Sequence, residues 1–443
     1  MRRICLFLGV LLALAPSSAR AQGSTPGLGG LLLRFFSPSN PVVLKANPVP
    51  AFSHDAHFVT QPNAQASLKQ INSQLAAQIS TFPIGSSSGG FTFTFDSSLG
   101  VYNRTTQSFG PLFAERPQTA GKGKFSAGVN FQNATYDRIE GQDLRNGDLE
   151  LFLVHIDTNN DHVSLEPWFE GDIIGSTLSI DLQAKTTVFF ANYGFTSKFD
   201  VGVAIPYQDI SIDARIDADI ERLATSVDPF VVHTFPDDTS LHTYRESGSA
   251  NGLGDVLVRA KYNFKSGSSL GMAAALDLRL PTGKSEDLLG SGATQAKAYL
   301  VLGGGGGRFS PRTNLGYTFS SGGSDFTGDL PDEINYTAGF DLVPHRRVTL
   351  AADFVGRTLL DADRLVYNTK TFNYRTRLDA TIRQTTRPEL TTEKGNLTIM
   401  LASVGLKINP VGRLLLVGNV LFSLGDGGLQ DKVTPVFGLD YTF

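Results

Sequence analysis

The residue types that most often carry chemistry are sparse in this 443-residue sequence: seven histidines, one cysteine and one tryptophan. His54 and His57 lie three apart, yet zinc needs three or four ligands on one point, and no H-E-x-x-H spacing supplies them. Asp157-Thr158-Asn159-Asn160-Asp161 opens like a calcium loop. His162 then takes the sixth position, where the sharp turn needs glycine, and Trp168 takes the twelfth, where a bidentate glutamate belongs. A solvated loop is the simpler reading. Gly303 to Gly307 lacks the Lys-Ser/Thr that would follow in a phosphate loop, so these glycines read as turn punctuation. A serine hydrolase needs Ser and His within hydrogen-bond reach, with a third group orienting the His. The serines and histidines here fall mostly in segments that read as connections. The expectation is no catalytic set, no metal and no cofactor.

What remains is a set of charges placed within runs of alternating character. Lys185, Arg259, Lys261, Arg279, Lys297, Arg312, Arg357 and Lys407 are basic; Asp181, Asp200, Asp255, Asp277, Asp341, Asp353 and Asp440 are acidic. Taking the non-apolar face of each run as the inner wall of a pore makes these residues lumen-lining. Such a wall is nearly balanced and favours neither sign of ion. Two readings are open. The charges brace the wall as ion-pair ladders, or Arg259, Lys261, Arg279 and Arg312, on neighbouring strands, form a basic stripe guiding carboxylates or phenolates.

The elements that must position them are strands. From about residue 123 the period is two: Phe125, Ala127, Val129 and Phe131 alternate with Ser126, Gly128 and Asn130, and Leu178, Ile180, Leu182 and Ala184 with Ser179, Asp181, Gln183 and Lys185. Three features favour a transmembrane barrel over a soluble sandwich. The runs are about ten residues or more, the length of a tilted membrane strand. Short connections alternate with long ones, the long ones at 137–175, 215–252, 282–294, 321–333, 361–396 and 425–432. The chain ends on Phe437, Leu439, Tyr441 and Phe443 at alternate positions, resembling the insertion signal that the barrel-assembly machinery reads on outer-membrane barrels. The fold class expected is all-β: an antiparallel transmembrane β-barrel over 121–443. Strands are placed near 123–136, 177–194, 199–214, 253–264, 269–281, 295–303, 308–320, 334–343, 347–360, 397–408, 412–424 and 433–443. That gives twelve, or fourteen if 149–156 and the 91–95 run also join.

The segments before the barrel read differently. Arg2 and Arg3, the apolar run Ile4 to Ala15 and Ala19-Arg20-Ala21 make a Sec-type signal peptide, cut after Ala21. Its removal takes away Arg2, Arg3 and Arg20, moving the formal charge from −4 to −7, and takes away Cys5, leaving an exported chain with no disulfide. Nothing in it is basic enough for nucleic acid. Residues 22–120 read as irregular, with a helix over 64–80 where Leu68, Ile71, Leu75 and Ile79 share a stripe, and a small hairpin starting at Phe91. This segment could fill the lumen as a plug or pack beneath the barrel; the stripe needs a surface to bury against.

Asn251-Gly252-Leu253-Gly254-Asp255 running to Tyr262-Asn263-Phe264, then Leu278-Arg279-Leu280-Pro281-Thr282-Gly283, Gly290-Ser291-Gly292 and Asn314-Leu315-Gly316-Tyr317-Thr318-Phe319 carry a resemblance. In this order they resemble the outer-membrane family "putative MetA-pathway of phenol degradation", over roughly 175–443. More distantly, by architecture alone, the chain is similar to FadL-type channels. The resemblance implies an outer-membrane channel for passive uptake of small, aromatic or hydrophobic solutes, with lipid and lipopolysaccharide as its surroundings. The alternative is a closed structural or adhesive barrel whose long outer loops bind partners.

Overall fold

The computed structural model describes residues 27–35, 42, 44–46, 57–60, 62–81, 83, 85–86, 90–96, 98–99, 101–157, 167–229, 231–267, 269–304 and 307–443. The expected signal peptide, His54 and most of the calcium-like loop lie outside the described residues. Twelve antiparallel strands form one closed ring: β1 Phe125–Tyr136, β2 Ile173–Gly194, β3 Phe199–Glu221, β4 Val256–Lys265, β5 Gly271–Leu280, β6 Thr294–Gly303, β7 Phe309–Ser321, β8 Glu333–His345, β9 Val348–Thr376, β10 Asp379–Ile408, β11 Leu414–Leu424 and β12 Thr434–Thr442. Each pairs with its sequence neighbours, and β12 returns to β1 with Thr442 opposite Ser126. The Phe443 amide completes the seam by donating to the Phe125 carbonyl at 2.7 Å. Closure removes the free edge that lipid would not tolerate. The ring count stays at twelve because Phe93–Asp96 pairs only with Val101–Arg104, while Leu149–His155 lies beside the upper part of β2, outside the ring.

Short turns gather at the end that holds Phe443, and their chemistry is local. The Thr196 hydroxyl accepts the amides of Lys198 and Phe199 at 3.1 and 2.9 Å. The Asn409 side chain donates to the carbonyls of Gly412 and Leu414 at 3.1 and 2.7 Å. At the opposite end the strands run on. Of the expected long loops, half of 215–252 and nearly all of 361–396 are strand: β3 continues to Glu221 against Leu241–Leu253, and β9 and β10 form a hairpin with Tyr367 opposite Leu390. Leu241–Leu253 carries polar residues on both faces, so no apolar alternation betrays it.

At this loop end β2 and β3 change character without a break in register. The change falls where Lys185 pairs with Asp209, Thr186 with Gln208 and Thr187 with Tyr207. Below it the outward positions include Phe189 and Tyr207, both exposed as a lipid-facing surface should be. Above it the inward positions are apolar: Leu178, Ile180, Leu182, Ala184, Ile210, Ile212, Ala214 and Ile216 are at most 3 % exposed. Asp181, Lys185, Asp209 and Asp213 face out and are exposed. Asp181 and Lys185, both expected on the inner wall, therefore stand on the outer face. The expectation equated apolar with lipid-facing, and above this level the apolar face packs inward.

What it packs against is α1, Pro62–Ser80, starting two residues before the expected position with proline at its first turn. Leu68, Ile71, Leu75 and Ile79 are no more than 2 % exposed. They share one apolar core with Leu31, Leu32, the upper inward residues of β2 and β3, and Leu365 and Leu390 of the β9–β10 hairpin. The polar positions of α1 are tied to the surrounding loops. The Ser67 hydroxyl donates to the Leu390 carbonyl at 2.7 Å and the Asn72 amide to the Phe326 carbonyl at 3.2 Å. So the apolar face of α1 is enclosed, while Gln65 and Lys69 near its N-terminal end stay exposed.

Candidate functional site

A second N-terminal segment crosses the ring lower down. Residues 105–120 have no regular structure, and their backbone is satisfied by inward side chains of strands far away in sequence. Asp353 on β9 accepts the amides of Leu112, Phe113 and Ala114 through one oxygen, at 2.9, 2.9 and 3.4 Å. Asn314 on β7 pairs reciprocally with the Glu115 backbone, at 2.7 and 3.0 Å. Asn263 on β4 donates to the Pro117 carbonyl at 2.8 Å, and Lys407 on β10 to the Pro111 carbonyl at 2.6 Å. Asp200 on β3 accepts the Ala120 amide at 3.1 Å. Gly110, at φ +83, turns the chain directly over the Arg116 guanidinium, where a Cβ would meet it at 3.0 Å. Burial pulls that guanidinium down to about 10, against the opposing pull of Asp341 and Glu115.

The charged centre of this crossing is Glu115, 2 % exposed. Its carboxylate bonds the Arg259 guanidinium and takes the Lys261 ammonium at 3.2 Å. Arg259 forks onto Asp277 through two contacts of 2.6 Å, and Lys297 and the Tyr299 hydroxyl join Asp277 at 3.2 and 3.1 Å. Arg312 pairs with Asp341 on the next strand. The four members of the postulated basic stripe are thus all engaged: Arg259 and Lys261 by Glu115, Arg312 by Asp341, and Arg279 by the Ser80 carbonyl at 2.6 Å.

Between this crossing and α1 lies a chamber of about 180 Å³. Its ceiling is the C-terminal end of α1, held by three wall strands. Gln208 on β3 donates to the Ile79 carbonyl at 3.3 Å, Arg279 on β5 to Ser80, and Arg357 on β9 to the Thr81 hydroxyl at 2.6 Å. Two cations at a helix C-terminus answer its exposed carbonyls and dipole. The floor is Phe113 and Glu115. The wall mixes apolar Leu257, Val355, Ile399 and Leu401 with Tyr136, Tyr299, Lys297, Arg357 and Glu333, the last two 3.5 Å apart.

Of the residues singled out from sequence, Arg259, Lys261, Asp277, Arg279, Lys297, Arg312, Asp353 and Arg357 lie inside the ring with the contacts just given. Phe437, Leu439, Tyr441 and Phe443 face outward, 43–62 % exposed. Sequence reasoning missed Glu115, Asn263, Asn314 and Gln208. The signal available for Glu115 was the charged pair Glu115-Arg116 in a stretch, 105–120, that holds no other charged residue. It also missed that His57, His155 and His233 meet in the upper lobe, with ring centroids 5.0 and 5.3 Å apart in succession. His233 is held there by Asp172 at 2.8 Å, which also accepts the Ala224 and Thr225 amides at 2.8 and 3.0 Å. Among the described residues no group of three or more His, Cys, Asp or Glu is placed to hold a metal ion.

No curated protein sequence matches the chain. Among solved structures it is similar to an outer membrane channel from Pseudomonas putida F1, at 10% identity over 74% of this chain and 97% of that one, with a TM-score of 0.43. A Pseudomonas aeruginosa FadL homologue is 12% identical over 73% of this chain and 90% of its own, with a TM-score of 0.30. The Ralstonia pickettii toluene transporter TbuX is 10% identical over the same two shares, 73% and 90%, with a TM-score of 0.26. The family described as "Putative MetA-pathway of phenol degradation" matches residues 156–381, half of the chain, and the chain belongs to that family.

Proposed function

We propose that the chain is a channel of the bacterial outer membrane for passive uptake of small solutes, aromatic ones among them. The observation that carries this reading is the chamber inside a closed ring. Its volume of about 180 Å³ compares with the ~150 Å³ apolar cavity that accepts benzene. One monoaromatic ring fits, with Leu257, Ile399 and Leu401 to pack on it and Arg357, Lys297 and Glu333 to hold a polar substituent. In this reading the loop end faces outward, the turn end faces the periplasm, and the assembly machinery reads the exposed aromatic face of β12. Passage needs no cofactor.

The test is single-channel recording of the refolded protein in a planar bilayer, paired with swelling of liposomes in monoaromatic and sugar solutes of matched size. Uptake of the small ring without uptake of a disaccharide is the expected result. Silence in both assays would instead support a structural or adhesive barrel, a reading favoured by one feature: the lumen is occupied at two levels, by α1 and by 105–120.

A further inference from the structure

The chamber has a second, smaller neighbour. A cavity of about 40 Å³ lies below it, between the 105–120 segment and the wall made by β1, β2 and β10 to β12. Lys407, Asn419 and Asp440 line it from the wall, and Pro111 and Leu112 from the segment. The two cavities share two residues, Pro83 and Phe113. A solute leaving the chamber toward the turn end on this side must pass between them.

Phe113 is built differently from its neighbours. Leu112, Ala114, Glu115 and Arg116 are at most 5 % exposed, whereas the Phe113 ring stays partly uncovered between two voids. Its backbone is fixed, because Asp353 takes its amide and those on either side. The segment itself is tied to at least five strands, through Asp200, Asn263, Asn314, Asp353 and Lys407, so moving it as a body breaks all those bonds together. Turning one ring about its side-chain bonds breaks none of them, and side-chain hops are far faster than segment displacement.

We propose that the Phe113 side chain is the gate of this lumen: a hinged ring on a fixed backbone that separates the chamber from the lower cavity opposite Pro83. The 105–120 segment then stays in place during passage, and the narrowest width is set by one residue. This rests on the channel reading above.

The experiment is conductance of the full-length protein carrying Phe113→Ala, Phe113→Leu or Phe113→Cys, each checked for a closed barrel by its heat-dependent gel migration. Asp353→Asn, which loosens the segment itself, is the comparison. The mature chain is expected to contain no other cysteine, so the Phe113→Cys thiol is unique. A several-fold rise in conductance for Ala, a smaller one for Leu, and reversal of the Cys effect by a bulky thiol reagent are expected. Conductance that rises in Asp353→Asn but stays at the wild-type level in all three Phe113 variants would place the gate in the segment's backbone. That outcome overturns the proposal and leaves the channel reading standing. Silence in every variant, in liposome swelling as in conductance, would overturn both.

Discussion

The lower ring and the upper lobe of this molecule are built from the same strands by opposite rules. On β3 the residues up to Tyr207 show lipid their apolar side, while from Ile210 to Ile220 the apolar side is the inner one and acidic residues face out. The strand does not slip or bulge between the two against β2; the pairing runs unbroken from Asp200 to Glu221. What changes is the medium. Below, hydrocarbon lies outside and a polar lumen inside; above, water lies outside and α1 inside. Period two identifies a strand, but only the surroundings decide which face is interior.

The sharpest way to break this comparison is a pair of adjacent substitutions on β3. Ile212→Lys places an unpaired charge in the lobe core and is expected to cost upwards of about 4 kcal/mol, whereas Ser211→Lys on the outer face stays within about 0.5 kcal/mol. The single tryptophan, Trp168, lies in the lobe against Phe169, so its fluorescence during urea unfolding reports this region. Equal effects at the two positions would sink the inverted pattern. Leu75→Ala empties part of the same core from the helix side and should lower the lobe transition by about 3 kcal/mol while the barrel transition holds. Asp353→Asn acts in the lower region. Losing the charge that accepts three amides should cost about 2 kcal/mol locally, seen as faster hydrogen exchange at 109–116 with Trp168 fluorescence unchanged. The smallest effect is expected at Lys185: alanine there should change stability by no more than about 0.5 kcal/mol and leave conductance as it is. A reagent confined to water should label Lys185→Cys but not Ala184→Cys; labelling of the second alone would return Lys185 to the lumen.

All twelve ring strands were legible in the sequence because each carries enough alternation to show its period. So was α1, from the spacing of Leu68, Ile71, Leu75 and Ile79. The β9–β10 hairpin was not, since a stretch such as Thr369 to Thr376 offers one buried apolar residue, Phe372, among polar neighbours and so shows no period. Lys185 was misplaced because a sequence names no solvent. The contacts of 105–120 were invisible for a different reason. Their amides and carbonyls are answered by Asp353, Asn314 and Lys407, residues about 200 to 300 positions away, so nothing in the local pattern records them.

The hydrogen bond from the Gly90 amide to Asp440, at 2.7 Å, joins residues 350 positions apart. One belongs to the chain before the first ring strand and the other to the last, at the seam where β12 meets β1. Whatever order the remaining strands add in, this contact cannot exist until the whole polypeptide has been made. Either closing the seam and filling the lumen are one event, or the segment is threaded into a finished cylinder afterwards. Contacts of such long sequence separation are the slow ones to form, so the maturation time of this protein is written at its seam.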